Sequence, residues 1–339
     1  MIMDFVRSFH TLDEKTIMPW LRDVRMQAYA PASGYRVGAV LIVKTATGFL
    51  GFAGVNVESI EHRLSIHGEE GALSALVTTL GPDVAIESAW VIGGVDDHGS
   101  ESDMVAHCCG NCRQQLAGLA RTPDIRVRNC ALSGRVVDTA LNDLLPDSFS
   151  FDNFNAESSA LRSRAIETIT PDQDVNDLAR RAVRNEPHDI PALRAWAGEL
   201  KSLNYASHTS QTVILALDNG TYVAGVKIEN AVFTGLSAMQ AALAIANVSQ
   251  KPGWSVTEAF VFSERGGDAG ALRGDEIMPL SLSALQILNE FSKSSIIPLT
   301  HLCANGDGMT MTLADWGAEA PRMHHETRRI RNGLLLSAA

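Results

Sequence analysis

The spacing of hydrophobic positions changes several times along this chain, and each change marks an element. Leu12 to Ala28 carries apolar residues at helical spacing ahead of a Pro31/Gly34 turn, which predicts an amphipathic helix. Val37 to Val43 and Gly48 to Val57 read as the two arms of a β-hairpin. Glu70 to Val77 is small and apolar at helical spacing and predicts a buried helix opened by His67 and Glu69. A strand over Ser88 to Gly93, a short helix from Cys109 to Leu119 and a strand near Ile125 to Val127 follow. Strands and helices alternating in this way imply an α/β sandwich with a sheet at its centre.

Asp152 to about Pro191 is polar, charged and punctuated by proline, and reads as a linker with some helix. Beyond it, Gly225-Val226-Lys227-Ile228-Glu229 repeats Gly54-Val55-Asn56-Val57-Glu58 without a gap, at an offset of 225 − 54 = 171. A duplication of this kind signals shared architecture. Carried along the chain, the offset places Ala238 opposite His67, Gln240 opposite Glu69, Pro279 opposite Cys108, Leu280 opposite Cys109 and Ser283 opposite Cys112. The expected organisation is therefore a first domain over 1–151, a linker over 152–190, a degenerate copy over 191–320 and a tail over 321–339. The basic cluster from Arg322 to Arg331 reads as a solvated tail or helix.

Composition narrows the function. A chain of 339 residues with 45% hydrophobic and 20% charged content suits two folded domains, each with its own core. A net charge of −11 opposes a large nucleic-acid surface, which needs clustered Lys and Arg, and no groove pattern of aromatic and basic residues is present. Five cysteines without a disulfide framework point to a reducing compartment and a cytoplasmic protein. Met1 to His10 does not read as a signal peptide, and no apolar run approaches the length of a membrane span.

The chemistry concentrates in two motifs, His67-Gly68-Glu69 and Cys109-Gly110-Asn111-Cys112. One imidazole and two thiolates make three ligands for Zn²⁺ and leave the fourth tetrahedral position open to water, as a catalytic site requires. Two thiolates also cancel the formal charge of the metal. A carboxylate at Glu69, two residues past the histidine, reaches that water without being a ligand. H-x-E followed by C-x-x-C is the signature of the zinc-dependent base deaminases, with Cys108 standing where their proline would be. Glu70 is the rival carboxylate, but three residues from His67 it occupies a different part of the helix. Taken alone, C-x-x-C also fits a redox pair or a zinc knuckle. Two helix N-termini aimed at one metal would stabilise thiolates. Arg113 either lowers their charge density or lies on the surface.

The segments Tyr29-Ala30-Pro31-Ala32-Ser33-Gly34-Tyr35-Arg36-Val37-Gly38-Ala39, Gly54 to Glu58, the two zinc motifs and Leu144-Leu145-Pro146-Asp147-Ser148-Phe149 fall in one order over residues 25–155, with a weaker echo over 190–300. In this the chain resembles cytidine deaminases of the two-domain type. The resemblance implies a duplicated three-layer α/β/α sandwich with a mixed central sheet, one zinc per chain in the first domain, and a homodimer with the active site near its interface. It implies hydrolysis of cytidine or deoxycytidine to uridine or deoxyuridine plus ammonia, a step of pyrimidine salvage. By the same resemblance Asn56 and Glu58 bind the sugar hydroxyl and Phe149 helps to line a partner's pocket, while Tyr35, offset from the family's position by Arg36, either packs on the base or is a core aromatic of its strand. Gly68 belongs with these substrate-binding residues, in place of the family's usual alanine. A carboxylate on the sugar disfavours a nearby phosphate, so the substrate is expected to be a nucleoside. Cys108, the loop from Asp96 to His107 and the charged Glu61-His62-Arg63 depart from the family and leave open a related zinc deaminase acting on another aminated nucleoside or heterocycle.

Overall fold

The computed structural model describes residues 4–95, 103–120, 125–151, 174–186, 189–206, 209–232, 234–265, 276–319, 328–331 and 334–337. The first half runs β1 (Val6–Phe9), α1 (Glu14–Arg25), β2 (Tyr35–Lys44), β3 (Phe49–Val55), α2 (Gly68–Leu80), β4 (Ile86–Val95), α3 (Gly110–Leu119), β5 (Arg126–Cys130), β6 (Val136–Ala140) and α4 (Leu141–Leu144). Its six strands form one sheet in the order β1-β3-β2-β4-β5-β6. Only the β4/β5 pair is parallel, so the sheet is mixed.

Glycines on alternate faces of the hairpin let the helices approach. A Cβ on Gly38 would lie 2.8 Å from the backbone nitrogen of Arg25, so α1 rests on that face. Gly54 points to the other face, where a Cβ would fall inside the backbone of α2 at Ala72 and Gly71. Strand periodicity of two separates these faces. Every residue of α2 is buried, because one side meets β2 and β3 and another meets a helix from the second half. A helix enclosed in this way carries no polar stripe, which explains its uniformly small, apolar sequence.

The second half repeats the plan as α5 (Val175–Ala182), β7 (Val183–Arg184), α6 (Ile190–Leu200), β8 (Thr209–Leu217), β9 (Tyr222–Val226), α7 (Ala238–Ser249), β10 (Val256–Arg265), β11 (Glu276–Ile277), α8 (Leu282–Phe291), β12 (Pro298–Leu302), β13 (Gly308–Thr312) and α9 (Leu313–Glu319). Its sheet order, β7-β9-β8-β10-β12-β13, matches the first strand for strand. The central helices α2 and α7 pack against each other. Val183 and Arg184 pair with β9, so the second sheet takes in residues from the segment expected to be linker.

Two expectations need correction. The single offset of 171 does not hold past the hairpin, because the loop between β9 and α7 is one residue shorter than its counterpart. Val57 pairs with Ile66 while Ile228 pairs with Leu236, and 228 − 57 = 171 but 236 − 66 = 170. Gly225 meets Ala242 where Gly54 meets Ala72, again 170. Thus Ser237 stands opposite His67, Met239 opposite Glu69 and Gln240 opposite Glu70. At the following helix the caps are Cys109 and Ser281, an offset of 172, so Ala284 stands opposite Cys112. The second correction concerns the C-terminus. Arg328–Arg331 (β14) and Leu334–Ser337 (β15) form an antiparallel pair that joins β11, rather than a solvated tail or helix. The Asn332-Gly333 sequence between them carries a hairpin signal that the run of charge concealed. Among the described residues no helix is long and apolar enough to cross a membrane.

Candidate metal centre and active site

Two helix N-termini converge on one point. His67 is the residue before α2 and Cys109 the residue before α3. The Cys109 sulfur accepts from the Cys112 amide at 3.5 Å, which caps α3 and turns both thiols to one side. His67 Nδ1 lies 3.3 Å from the sulfur of Cys109 and 3.3 Å from that of Cys112. All three donor atoms fall within 4.8 Å of one another, and among the described residues they form the one such metal-ligating group. Tetrahedral zinc with ordinary Zn–N and Zn–S lengths separates neighbouring donors by about 3.5 Å. The donor types and the spacing therefore both fit zinc with one position to spare.

The protonation of the trio points the same way. The hydrogen bond from Cys112 draws the Cys109 thiol down to about 3, against the cost of burial and with help from His67. The bond to Cys109 pushes His67 up to about 9. Cys112, bonded to Cys108 and Cys109 and buried, is held well above its ordinary value. A cation binds here only to an unprotonated imidazole nitrogen and to thiolates, so its binding is coupled to proton release.

Around the trio, the two carboxylates of the helix start have different surroundings. Glu70 Oε2 accepts from the His67 amide at 2.8 Å and its Oε1 accepts from Asn111 Nδ2 at 2.8 Å. This closes a capping box at α2 and ties it to the first turn of α3. Burial pushes the Glu70 carboxyl up despite these bonds. Glu69, 4% exposed, is not used in the cap. Its carboxylate lies against the Cys108 thiol; there the bond to Cys112 lowers the thiol pKa, but burial and the Glu69 charge raise it more.

Cys108 is buried but stands outside the ligand trio. Its amide donates to Asn129 Oδ1 at 2.8 Å. Arg113 does not serve the thiolates: its Nε donates to the Cys108 carbonyl at 2.8 Å and its Nη1 to the Leu144 carbonyl at 3.2 Å. Asn111, Asn129 and the Glu70 brace escaped sequence reasoning. The capping-box spacing from His67 to Glu70 was the available signal, masked because histidine stands where Ser or Thr is usual.

The remaining candidate residues gather beside the start of α2 through Val37. Asn56 Oδ1 accepts from the Val37 amide at 2.7 Å and its Nδ2 donates to the Tyr35 carbonyl at 2.9 Å. Val37 in turn packs on Gly68, where a Cβ would meet Val37 Cγ1 at 2.8 Å. Glycine here makes room for Val37, beyond loosening the backbone. Tyr35 lies over Gly93 of β4, and burial raises its phenol pKa while Arg25 opposes that rise. Glu58 accepts from the amides of Ala32 and Ser33 at 2.8 and 3.2 Å and from the Ser33 hydroxyl. Burial works to raise its pKa, yet these bonds and nearby His62 hold it below the usual carboxylate range. Phe149 is 43% exposed, its backbone bonded to Gln114 of α3 at 2.7 and 3.3 Å. Of the loop expected to reshape the pocket, residues 96–102 lie outside the described residues.

Comparison with known proteins supplies the class. Residues 141–269 match the family model described as the cytidine and deoxycytidylate deaminase zinc-binding region, a stretch that contains none of the trio. A crystal structure of cytidine deaminase from Burkholderia pseudomallei is 29% identical, covering 41% of this chain and 100% of that one, with a TM-score of 0.35. Cytidine deaminase from Mycobacterium tuberculosis is 27% identical over 41% of this chain and 98% of its own, with a TM-score of 0.32. That of Mycobacterium leprae is 26% identical over 40% and 100%, also at 0.32. The duplicated mixed sheet and the His-Cys-Cys group define a zinc-dependent deaminase, a hydrolase, with His67, Cys109 and Cys112 positioned as its zinc ligands. Over residues 141–269 the chain is similar to the cytidine and deoxycytidylate deaminases.

Proposed function

We propose that the first half hydrolyses the exocyclic amine of cytidine or deoxycytidine, with Glu69 as its proton carrier. The observation that carries this reading is the division of labour at the head of α2. Both oxygens of Glu70 are committed to the His67 amide and Asn111, which leaves Glu69 as the buried carboxylate for chemistry. His67, Cys109 and Cys112 would hold zinc, which would make a nucleophile available at neutral pH by lowering the pKa of water from about 15.7 to about 7. The Glu69 carboxylate accepts the proton of the attacking water and delivers it to the ring nitrogen as C4 is attacked. It then takes the remaining proton of the new C4 hydroxyl and passes it to the amine, which leaves as ammonia while the C4 carbonyl forms, so one group acts as base and acid in turn. Asn56 and Glu58 orient the sugar, Tyr35 and Gly68 border the base, and Phe149 reaches toward a second copy in a homodimer.

A second reading keeps the reaction and changes the substrate. Asn56 and Glu58 already hold the backbone at 32–37, an arrangement that also suits an aminated heterocycle without a sugar contact. Ammonia release from the zinc-loaded protein on cytidine, deoxycytidine, cytosine, CMP and adenosine separates the two. Turnover on the two nucleosides alone supports the first; turnover on cytosine at equal efficiency removes the sugar assignment. Glu69→Gln should keep one zinc per chain and lose turnover by about 10²- to 10⁴-fold. Near-full activity in that variant would take Glu69 out of the mechanism.

A further inference from the structure

We propose that Glu290 and Phe291, the last two residues of α8, are positioning residues that hold the sugar-recognition segment 56–58 of the first half; this rests on the sugar role proposed above for Asn56 and Glu58. That segment is a single thin strip of chain. The Tyr29 amide donates to the Asn56 carbonyl at 3.0 Å, the Glu58 amide donates to the Tyr29 carbonyl at 2.8 Å, and Val57 exchanges bonds with Ile66 at 2.8 and 2.9 Å. Past Glu58 the chain leaves regular pairing and crosses to His67 through a loop with one short turn at His62–Leu64.

The second half grips this strip on both flanks. On one side, Ser59 Oγ donates to Glu290 Oε1 at 2.9 Å and the Ile60 amide donates to Oε2 at 3.1 Å. Gln286, one turn earlier on α8, donates to Oε1 at 3.1 Å and fixes the carboxylate's direction. On the other side, the Phe291 ring meets Tyr29 edge-on at 5.3 Å and stacks on Trp254 at 5.7 Å. Gln240 Nε2 adds a third point on the loop at the Leu64 carbonyl, 3.4 Å away. In the first half the equivalent helix, α3, carries a metal-ligand turn. In the second half that helix has no such ligands, and its far end holds the segment that feeds the other copy's substrate site. A carboxylate accepting two bonds from Ser59 and Ile60 is a directional grip on the chain just past Glu58, and its loss would let that chain shift relative to the base pocket.

The test uses the full-length zinc-loaded protein and steady-state kinetics on cytidine. Glu290→Ala should raise KM about tenfold, the loss expected for bonds to a charged acceptor, with kcat within about twofold of wild type and one zinc per chain. Glu290→Gln keeps an acceptor for Ser59 and should recover most of that rise. Should Glu290→Ala not fold, Ser59→Ala removes the same bond from the opposite side and is expected to raise KM by a smaller factor. Glu58→Gln is run in parallel. If Glu58→Gln raises KM and the Glu290 and Ser59 variants do not, or if they lower kcat and zinc content with KM, the positioning role is overturned while the sugar reading stands. If Glu58→Gln leaves KM unchanged, the sugar reading fails and takes this inference with it.

Discussion

At the head of α2 stand His67, Glu69 and Glu70; at the head of α7 stand Ser237, Met239 and Gln240. The pairs fall into two kinds. His67/Ser237 and Glu70/Gln240 share a structural duty, since each helix starts with a capping box in which the third residue bonds back to the first: Glu70 to the His67 amide at 2.8 Å, Gln240 to the Ser237 amide at 3.2 Å. Glu69 and Met239 share nothing but a position, and the second is a buried thioether. The same division recurs at the next helix, where Cys109 and Ser281 each accept from the amide three residues on. Where Asn56 and Glu58 stand in the first half, the second closes the space with an ion pair, Lys227 Nζ to Glu229 Oε1 at 2.7 Å. Geometry that the fold requires exists in both halves, while the three metal-ligating donors and the Glu69 carboxylate exist in one.

The sharpest way to break that comparison is to make one truncation at both caps. Cys109→Ala removes a ligand as well as a cap and should abolish zinc binding and turnover together. Its counterpart Ser281→Ala removes only a cap, expected to cost about 1 kcal/mol of stability with zinc and turnover intact. Metal analysis, ammonia release and urea titration of both variants read the outcome. Zinc at two per chain in the wild type, or zinc lost from Ser281→Ala, would mean that the second half takes part in metal binding.

How much of this was legible in the sequence follows from how local each signal is. The trio was legible because H-x-E and C-x-x-C each occupy one helix start, and their chemistry depends on spacing of a few residues. The hairpin β2/β3 and the buried α2 were legible for the same reason, through periodicity. The register of the second copy was not, since a one-residue difference in the loop between β9 and α7 changes no local pattern. Strands β1 and β7 are four and two residues long, too short for alternation to declare them, and pairing with β3 and β9 creates them. Glu290 was invisible because its partner lies 231 residues away. The place of Glu70 in the cap was illegible for the same reason, since tertiary placement of Asn111 completes it.

The next test addresses the shared geometry. A Cβ on Gly54 would enter the backbone of α2, and one on Gly225 would enter the backbone of α7 at Ala242 and Ala241. Backbone cannot yield as a side-chain tip does, so Gly54→Ala and Gly225→Ala should each destabilise by about 3 kcal/mol or more. Denaturation midpoints should fall alike in both. If the helix seat is equally necessary to the two halves, the losses agree to within about 1 kcal/mol; a loss confined to Gly54→Ala would show that α7 tolerates displacement where α2 does not.

The smallest effect concerns one buried site on β5 and its match on β12. Asn129 and His301 occupy the same register, opposite Val91 and Val261 in their sheets. Asn129 has a task, accepting from the Cys108 amide. Among the described residues His301 has no hydrogen-bond partner at either ring nitrogen, and it packs at 4.4 Å on Trp316. Burial pushes it down to about 3, below the value of about 6.5 for an unfolded chain. The unfolded state therefore binds the extra proton between these values. The stability held by neutral His301 is complete above about pH 6.5 and declines as pH falls toward 3, by about 2 kcal/mol at pH 5. His301→Leu should remove that part of the decline, so its urea midpoint relative to wild type rises between pH 7 and pH 5. Parallel curves for the two proteins would mean that His301 titrates normally, and that the second half opens at β12 more readily than the first does at β5.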